Sequence, residues 1–223
     1  MSLADRIASI FGRNSPLDTI VVPEDDPSPE VEAGAVFGAA IASMPVRQVV
    51  EIGTAQAVKG TSTHQFGRFP TLDRSNYVMV DIQSGPDVDV VSDLHSLPKD
   101  WTNRFDVLIA NAVFEHLERP WIAAQEVARV LSPGGICHIA THQTFPLHGY
   151  PNDFFRFSTG ALSTIFSDAG MEILAASYHH RTKILLPPKL LALQHLENWN
   201  REFPSYAVVR LAARKPQANN QSN

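Results

Sequence analysis

The stretch FDVLIANAVFEHLERPWIAAQEVARVLSPGGICHIATH, which runs from Phe105 to His142, decides the fold. Apolar runs at 105–111 and 136–142 predict two buried strands, and the apolar spacing over 121–131 predicts a helix between them. The sequence Pro133-Gly134-Gly135 predicts a turn that launches the second strand. A strand, a helix and a second strand in this order indicate a parallel pair, the repeating unit of an α/β sheet.

The same alternation extends in both directions from this stretch. Further strands are predicted at 47–53, 77–81, 88–91, 171–178 and 206–213, and further helices at 34–44 and 159–169. Near-continuous apolar strands separated by helices are typical of a sheet buried on both faces. We therefore expect an α/β fold with a doubly wound, mostly parallel seven-stranded sheet and helices on both faces, spanning residues 34–215.

The ends of the chain differ from this domain. Residues 1–33 are expected to form a short amphipathic helix, with Leu3, Ile7, Ile10 and Phe11 at helical spacing, followed by an extended connector that holds four prolines. Residues 216–223 are polar and are expected to be a disordered tail. The run 190–203 predicts a packed helix. Two roles for this helix stay open, a cover for the acceptor pocket or a homodimer contact.

Composition excludes several classes of function. A net charge of −5 gives no field that attracts nucleic acid, and no apolar run approaches the roughly 18 residues that cross a membrane. The single cysteine, Cys137, excludes an internal disulfide and a multi-cysteine zinc site. The first residues carry both charge signs and no cleavage site, so no signal peptide is predicted. We expect a soluble cytoplasmic protein.

Polar residues follow each of the first four strands, at the sheet edge where α/β proteins bind ligands. Glu51 and the glycine turn at Gly53 suit an amino group, and Asp81 suits the two hydroxyls of a ribose. Asp93 and Leu94 suit the amine and the face of an adenine, and Asn111 lies beside the switch point. Together these residues describe a nucleoside that bears an amino-acid tail.

This set resembles the class I S-adenosylmethionine-dependent methyltransferases of the small-molecule type, over roughly 46–182. The segments VVEIG, SDLHSLP and FDVLIANAVFEHLERPWIAAQEVARVLSPGG carry the resemblance. It implies a Rossmann-like methyltransferase fold and S-adenosyl-L-methionine as the cofactor. The resemblance implies a set of cofactor-binding residues at the strand ends, and their direct neighbours are included in it. The set is Glu51, Gly53, Thr54, Asp81, Ile82, Asp93, Leu94 and Asn111.

The loop after the first strand departs from the pattern of this family. Where the family usually has G-x-G-x-G, residues 53–57 are GTAQA, and 58–69 lacks the apolar period of a helix. This departure keeps a second hypothesis open, a non-catalytic binding or partner protein that retains the methyltransferase fold. A nicotinamide-dependent reductase is disfavoured, because none of the four tyrosines is followed four residues later by lysine.

The segment HQTFPLHGYPNDFFRFS, at 142–158, follows the fifth strand and predicts the acceptor side of the site. His142 and His148 are candidate bases for a hydroxyl acceptor, since imidazole titrates near neutrality. Tyr150, Asp153 and Arg156 are the candidate substrate-binding residues. The alternative is that Asp153 pairs with Arg156 while Phe154, Phe155 and Phe157 fill the core.

The sequence favours a small-molecule acceptor that is methylated on oxygen or nitrogen, and it predicts no metal site. The family resemblance implies a glycan or a secondary metabolite as such an acceptor. The acidic charge, and the absence of an Asn/Asp-Pro-Pro-Tyr stretch after the fourth strand, disfavour nucleic-acid and protein acceptors. His138 and His142 share a strand face but are about 13 Å apart at about 3.3 Å per residue, too far to bind one ion. Glu115 is explained as an acid in the first turn of a helix, and its neighbour His116 is given no role.

Overall fold

The structure is a computed structural model that describes residues 31–149, 152–182 and 205–217. Seven strands form its single sheet: β1 (Val49–Ile52), β2 (Tyr77–Asp81), β3 (Val90–Val91), β4 (Phe105–Asn111), β5 (Leu131–His142), β6 (Glu172–Thr182) and β7 (Ser205–Arg214). Three α-helices accompany them: α1 (Ala33–Ser43), α2 (Pro120–Val130) and α3 (Thr159–Asp168).

The strand order in the sheet is β3-β2-β1-β4-β5-β7-β6. Neighbouring strands among the first five are parallel, whereas β7 runs antiparallel to both β5 and β6. The order reverses between β1 and β4, which makes the carboxyl ends of these two strands the switch point where ligands of open α/β sheets bind. The predicted doubly wound, mostly parallel sheet is confirmed.

Local chemistry fixes where the helices begin. The Glu32 carboxylate accepts hydrogen bonds from the backbone N–H groups of Gly34 and Ala35, which caps α1. Pro120 occupies the first turn of α2, where its missing N–H costs nothing. The Ser158 hydroxyl accepts from the N–H of Ala161 and caps α3.

The core lies on both faces of the sheet. On one face, α2 and α3 bury residues such as Val127, Leu162 and Phe166 against the central strands. On the other face, Phe37 of α1 packs with the side chains that β1, β2 and β4 direct to that side. Strands covered twice need apolar residues at nearly every position, which is why β4 is so continuously apolar.

The structure differs most from the sequence prediction at two element boundaries, while the other bounds shift by at most two residues. Strand β5 begins at Leu131 and continues through the predicted turn at Pro133-Gly134-Gly135. Gly134 has φ +81°, and its N–H donates to the carbonyl of Lys215, so the glycine pair lets the backbone bulge without leaving the sheet. Strand β6 extends four residues beyond the predicted end at Tyr178, to Thr182.

Several predictions fall on other parts of the chain. The amphipathic helix at residues 3–11, most of the proline-rich connector and the run 190–203 lie outside the described residues, as do 218–223 of the tail. The domain boundaries at 34 and 215 therefore stay predictions. Over the described ranges, every helix is too short or too polar to cross a bilayer.

Candidate active site

The carboxyl ends of β1 and β2 meet at a tight turn. Gly53 has φ +80°, and a Cβ at this position would lie 2.4 Å from the Cγ2 atom of Val113, so the turn requires glycine. The N–H groups of Gly53 and Thr54 both donate to the carbonyl of Val80 in the neighbouring strand. The turn therefore brings the backbone after β1 directly against the end of β2.

The carboxylate of Asp81 lies at the centre of this turn. Oδ2 accepts from the N–H of Ala55 at 2.9 Å, and Oδ1 accepts from the N–H of Gln83 at 3.0 Å. The side chain of Asp81 is only partly buried, so solvent still reaches it. The structure thus joins the glycine turn at Gly53 and the predicted ribose-binding acid in a single polar unit.

Glu51 is buried behind the turn. Its Oε2 atom accepts from the N–H of Gln65 at 2.8 Å and from the hydroxyl of Tyr77. Burial raises the pKa of this carboxyl above its ordinary value, although the bonds from Tyr77 and Gln65 oppose the shift. The predicted contact between Glu51 and an amino group stays a prediction, since in this structure the carboxylate anchors the loop that follows β1.

The end of β3 carries an acid and apolar neighbours. Oδ1 of Asp93 accepts from the N–H of His95 at 2.8 Å and lies 2.7 Å from its Nδ1 atom. Although burial opposes the shift, these contacts hold the pKa of Asp93 below its ordinary value. Leu94 is buried, whereas the side chain of Ile82, after β2, is 54% exposed. An exposed isoleucine beside the switch point offers an apolar surface for a flat ligand.

The loop at 53–65 replaces the helix that usually follows the first strand of this fold. No helix is found between β1 and a short 3₁₀ turn at Phe66–Arg68, in a stretch that is described throughout. Side chains fix the loop instead, because Gln56 and Ser62 both donate to Oδ2 of Asp87. The missing apolar period at 58–69 therefore reflects a real change of structure.

A cavity of about 610 Å³ opens next to Gln65, at the end of this loop. It extends from Asn111, at the end of β4, along β5 and β7 to the first turn of α1. The charged, polar and imidazole side chains that line it are Glu32, Gln65, Arg68, Asn111, His138, Thr141, His142 and Arg210. The cavity thus begins at the switch point and is large enough for a small molecule.

His138 lies in the wall of this cavity. The residue is only 6% exposed, and neither ring nitrogen has a hydrogen-bond partner among the described residues. Burial, together with the nearby Arg210 and Arg68, lowers its pKa to about 4. His138 is therefore a neutral imidazole near pH 7.

A buried carboxylate and three imidazoles form the other side of the site. Glu115 lies in a 3₁₀ turn at Phe114–His116 and is fully buried. Its Oε2 atom accepts from the hydroxyl of Thr141 at 2.7 Å. Its Oε1 atom lies 3.1 Å from Nε2 of His142, 3.9 Å from Nε2 of His116 and 4.0 Å from Nε2 of His148. We call Glu115, His142 and His148 the imidazole–carboxylate cluster.

Glu115 is ionised near neutral pH despite its burial. Burial alone would raise its pKa, but the contacts from His142 and Thr141 outweigh it and hold the pKa below the ordinary value. Within the described residues, Oε1 has no hydrogen bond of good geometry. A negative charge in a low-dielectric site attracts a cation or a proton donor strongly.

The loop at 142–158 is tied down by an ion pair. Arg156 binds the Asp153 carboxylate through Nη2 at 2.7 Å, and the same carboxylate accepts from the N–H of His148 at 2.8 Å. The Arg156 guanidinium holds the pKa of Asp153 well below its ordinary value. The pairing alternative for Asp153 and Arg156 is confirmed, and both residues position His148. Of the three phenylalanines in that alternative, Phe157 is buried whereas Phe154 is 46% exposed.

The structure therefore brings together most of the predicted residues and adds one. His142 and His148, the two candidate bases, are neighbours, with ring centroids 5.3 Å apart, whereas Tyr150 lies outside the described residues. Sequence reasoning missed Glu115. The available signal was its place four residues beyond the end of β4, because the ends of β4 and β5 lie side by side.

Comparisons with known proteins agree with this fold. Residues 50–139 match the model of a methyltransferase domain family. No curated protein matches the chain.

Solved structures share the fold at low sequence identity. A 1,6-didemethyltoxoflavin-N1-methyltransferase from Burkholderia thailandensis, with bound S-adenosylhomocysteine, is 15% identical with a TM-score of 0.53, covering 96% of this chain and 87% of that one. A SAM-dependent methyltransferase from Archaeoglobus fulgidus is 16% identical with a TM-score of 0.51, covering 82% and 92%. The [4+2]-cyclase SpnF is 20% identical with a TM-score of 0.53, covering 83% and 80%.

Proposed function

We propose that the chain is a class I S-adenosylmethionine-dependent methyltransferase and that it methylates a small molecule. The match of residues 50–139 to a methyltransferase domain family supports this proposal. The favoured accepting atom is a hydroxyl oxygen. The observation that carries this proposal is the cavity of about 610 Å³ that runs from the switch point to His142.

The donor site of this proposal lies at the ends of β1 to β4. Asp81 takes the ribose hydroxyls, while the turn at Gly53 and Thr54 presents backbone to the amino-acid tail. Ile82 and Leu94 hold the adenine between them, and Asp93 takes its amine. The exposed side chain of Ile82 supports this arrangement, because a bound adenine would cover it. Asn111 lies where the donor's methyl group would meet the cavity, and Glu51 supports the site through the loop that it anchors.

The imidazole–carboxylate cluster serves the acceptor in this proposal. An oxygen of the acceptor attacks the methyl carbon, the carbon–sulfur bond breaks, and S-adenosylhomocysteine leaves with the sulfur. The hydroxyl proton passes to the cluster, in which His142 or His148 is the base and Glu115 stabilises the resulting imidazolium. The 3.1 Å contact between Glu115 and His142 supports this role. Asp153 and Arg156 shape the pocket by fixing the loop around His148.

One of the similar solved structures supports the proposal of a small-molecule acceptor. The Burkholderia enzyme named above was solved with 1,6-didemethyltoxoflavin, a small molecule. The cavity of this chain is lined by mixed polar and apolar groups, and the net charge of −5 does not suit nucleic acid.

The second candidate is a protein that keeps the fold without transferring methyl groups. The observation that favours it is the loop at 53–65, which has alanines where the family has glycines and no helix below the donor's tail. The similarity to a cyclase fits the same view, because one fold hosts several chemistries.

Transfer of a labelled methyl group tests the proposal. The purified chain is incubated with S-adenosylmethionine that carries an isotopic label on its methyl group and with a small-molecule extract of the source cells. We expect label in one low-mass product and none in added nucleic acid or protein. Label that appears only in protein or nucleic acid would refute the small-molecule assignment.

A further inference from the structure

We propose that Glu115, His142 and His148 bind one divalent first-row transition-metal ion. The three residues each offer one ligand atom, and these atoms all lie within 4.8 Å of one another. Two imidazole nitrogens and one carboxylate oxygen are a donor set that suits zinc, iron, cobalt or nickel better than magnesium. The site joins the end of β5, the loop after it and the turn after β4, so no spacing along one strand reveals it.

The distances are close to those that an ion requires. Metal–ligand bonds of about 2.0–2.2 Å in tetrahedral geometry place ligand atoms roughly 3.3–3.5 Å apart. Oε1 of Glu115 is 3.1 Å from Nε2 of His142 and 4.0 Å from Nε2 of His148. The two imidazole nitrogens lie within 4.8 Å of each other, so side-chain adjustments of about 1 Å bring the three atoms into coordination.

The proton position on His148 also suits coordination. Nδ1 of His148 lies 3.0 Å from the carbonyl oxygen of Pro146, an atom that only accepts hydrogen bonds. This contact places the proton on Nδ1 and leaves the lone pair on Nε2, which is the atom that faces Glu115. A metal-bound histidine commonly donates its other N–H to a backbone carbonyl in this way.

Next to the cluster, His116 repeats this arrangement. Its Nδ1 atom contacts the carbonyl of Asn152 at 2.6 Å, and its Nε2 atom lies 3.9 Å from Oε1 of Glu115. A third imidazole with the same orientation gives the site a further donor within reach. The charge balance is favourable as well, because the buried Glu115 carboxylate partly neutralises a divalent ion.

The role of the ion rests on the proposed function, whereas its binding does not. Three protein ligands leave an open position, which an acceptor hydroxyl can fill. A bound ion would lower the pKa of that hydroxyl, so that its proton is released to solvent. The ion would then take the place of an imidazole base in deprotonating the acceptor. S-adenosylmethionine lies over the first strands in our proposal and does not contact the ion.

Titration with Co²⁺ tests the site without an acceptor. The full chain is stripped with a chelator, and Co²⁺ is added while the visible absorption of the ion is recorded. We expect one Co²⁺ per chain, with the absorption of an ion that has nitrogen ligands. Because loss of an outer-shell partner already costs 10–100-fold in metal affinity, His148→Ala and Glu115→Gln should each weaken binding about 100-fold or more.

Matched variants and a parallel titration separate the alternatives. His180→Asn, which changes an exposed histidine on the edge strand β6, should bind Co²⁺ as the unaltered chain does. Absence of stoichiometric binding to the unaltered chain would overturn the proposal. So would binding that both His148→Ala and Glu115→Gln leave unchanged. A titration of the same samples with S-adenosylmethionine shows whether the donor site is intact, so failure of the metal proposal stays distinct from failure of the proposed function.

Discussion

Methyl transfer to a hydroxyl acceptor is expected to fall by about 10²–10⁴-fold, the usual cost of losing a general base, in whichever of the variants His142→Ala and His148→Ala removes the base. The two side chains lie 3.1 Å and 4.0 Å from the same buried carboxylate oxygen of Glu115, and His142 also lines the cavity. Donor affinity should be unaffected, because the proposed donor site lies at the ends of β1 to β4. The measurements are transfer of labelled methyl and calorimetric titration with S-adenosylmethionine.

The pattern of loss distinguishes two ways of removing the proton. If one imidazole is the base, one of the two variants loses turnover. If the cluster holds an ion, both variants lose turnover, and added metal restores turnover in neither. The control His180→Asn should keep full turnover. Full turnover in both alanine variants from pH 6 to 9 would remove the cluster from the reaction.

Asp81→Ala should weaken binding of S-adenosylmethionine at least tenfold. If the carboxylate holds both ribose hydroxyls, the variant loses two charge-assisted hydrogen bonds, each worth on the order of 1.5–3 kcal/mol. Asp81 is partly exposed and belongs to no buried core cluster, so the fold should persist. Calorimetry gives the affinity, and a thermal melt checks the fold.

A second variant separates ribose binding from order in the loop. Asp81 also accepts from the N–H of Ala55, so its loss loosens the loop at 53–65. Asp87 holds the same loop through Gln56 and Ser62, but it is not among the proposed donor contacts. Asp87→Ala should therefore cost less affinity than Asp81→Ala. Equal losses would show that Asp81 acts only through the loop.

The central strands of the sheet were predictable because they are buried on both faces. A strand such as β4 then needs apolar residues throughout, and its predicted bounds at 105 and 111 agree with the structure. The start of β5 was not predictable from turn chemistry. Gly134 and Gly135 normally indicate a turn, but here the backbone of Gly134 pairs with Lys215, a residue 81 positions along the chain. Such long-range pairing leaves no local sequence signal.

The candidate site was only partly predictable, for a related reason. Strand ends are visible in the sequence, so Asp81, Asp93 and His142 were identified from their positions alone. Glu115 was assigned to a helix start because an acid in a first turn has a local explanation. Its actual partners, Thr141 and His142, are 26 and 27 residues away and become neighbours only through the pairing of β4 with β5. The burial of the Glu115 carboxylate depends on these tertiary contacts, so the local sequence does not reveal it.

The proposed binding of S-adenosylmethionine depends most on the altered loop after β1. Its sequence differs from the family pattern, and the structure shows that it is fixed by polar contacts instead of a helix. Its turn nevertheless keeps Gly53 and holds the N–H of Ala55 against Asp81. The donor site that we propose therefore depends on a loop that is unusual in sequence but ordered in structure.

Calorimetric titration of the unaltered chain with S-adenosylmethionine tests the central claim most directly. We expect saturable binding of one S-adenosylmethionine per chain, and we expect S-adenosylhomocysteine to compete for the same site. Adenosine alone should bind more weakly, because it lacks the amino-acid tail that the turn at Gly53 receives. Absence of binding by a folded chain, with or without added metal, would contradict the account and favour a protein that retains the fold without the reaction.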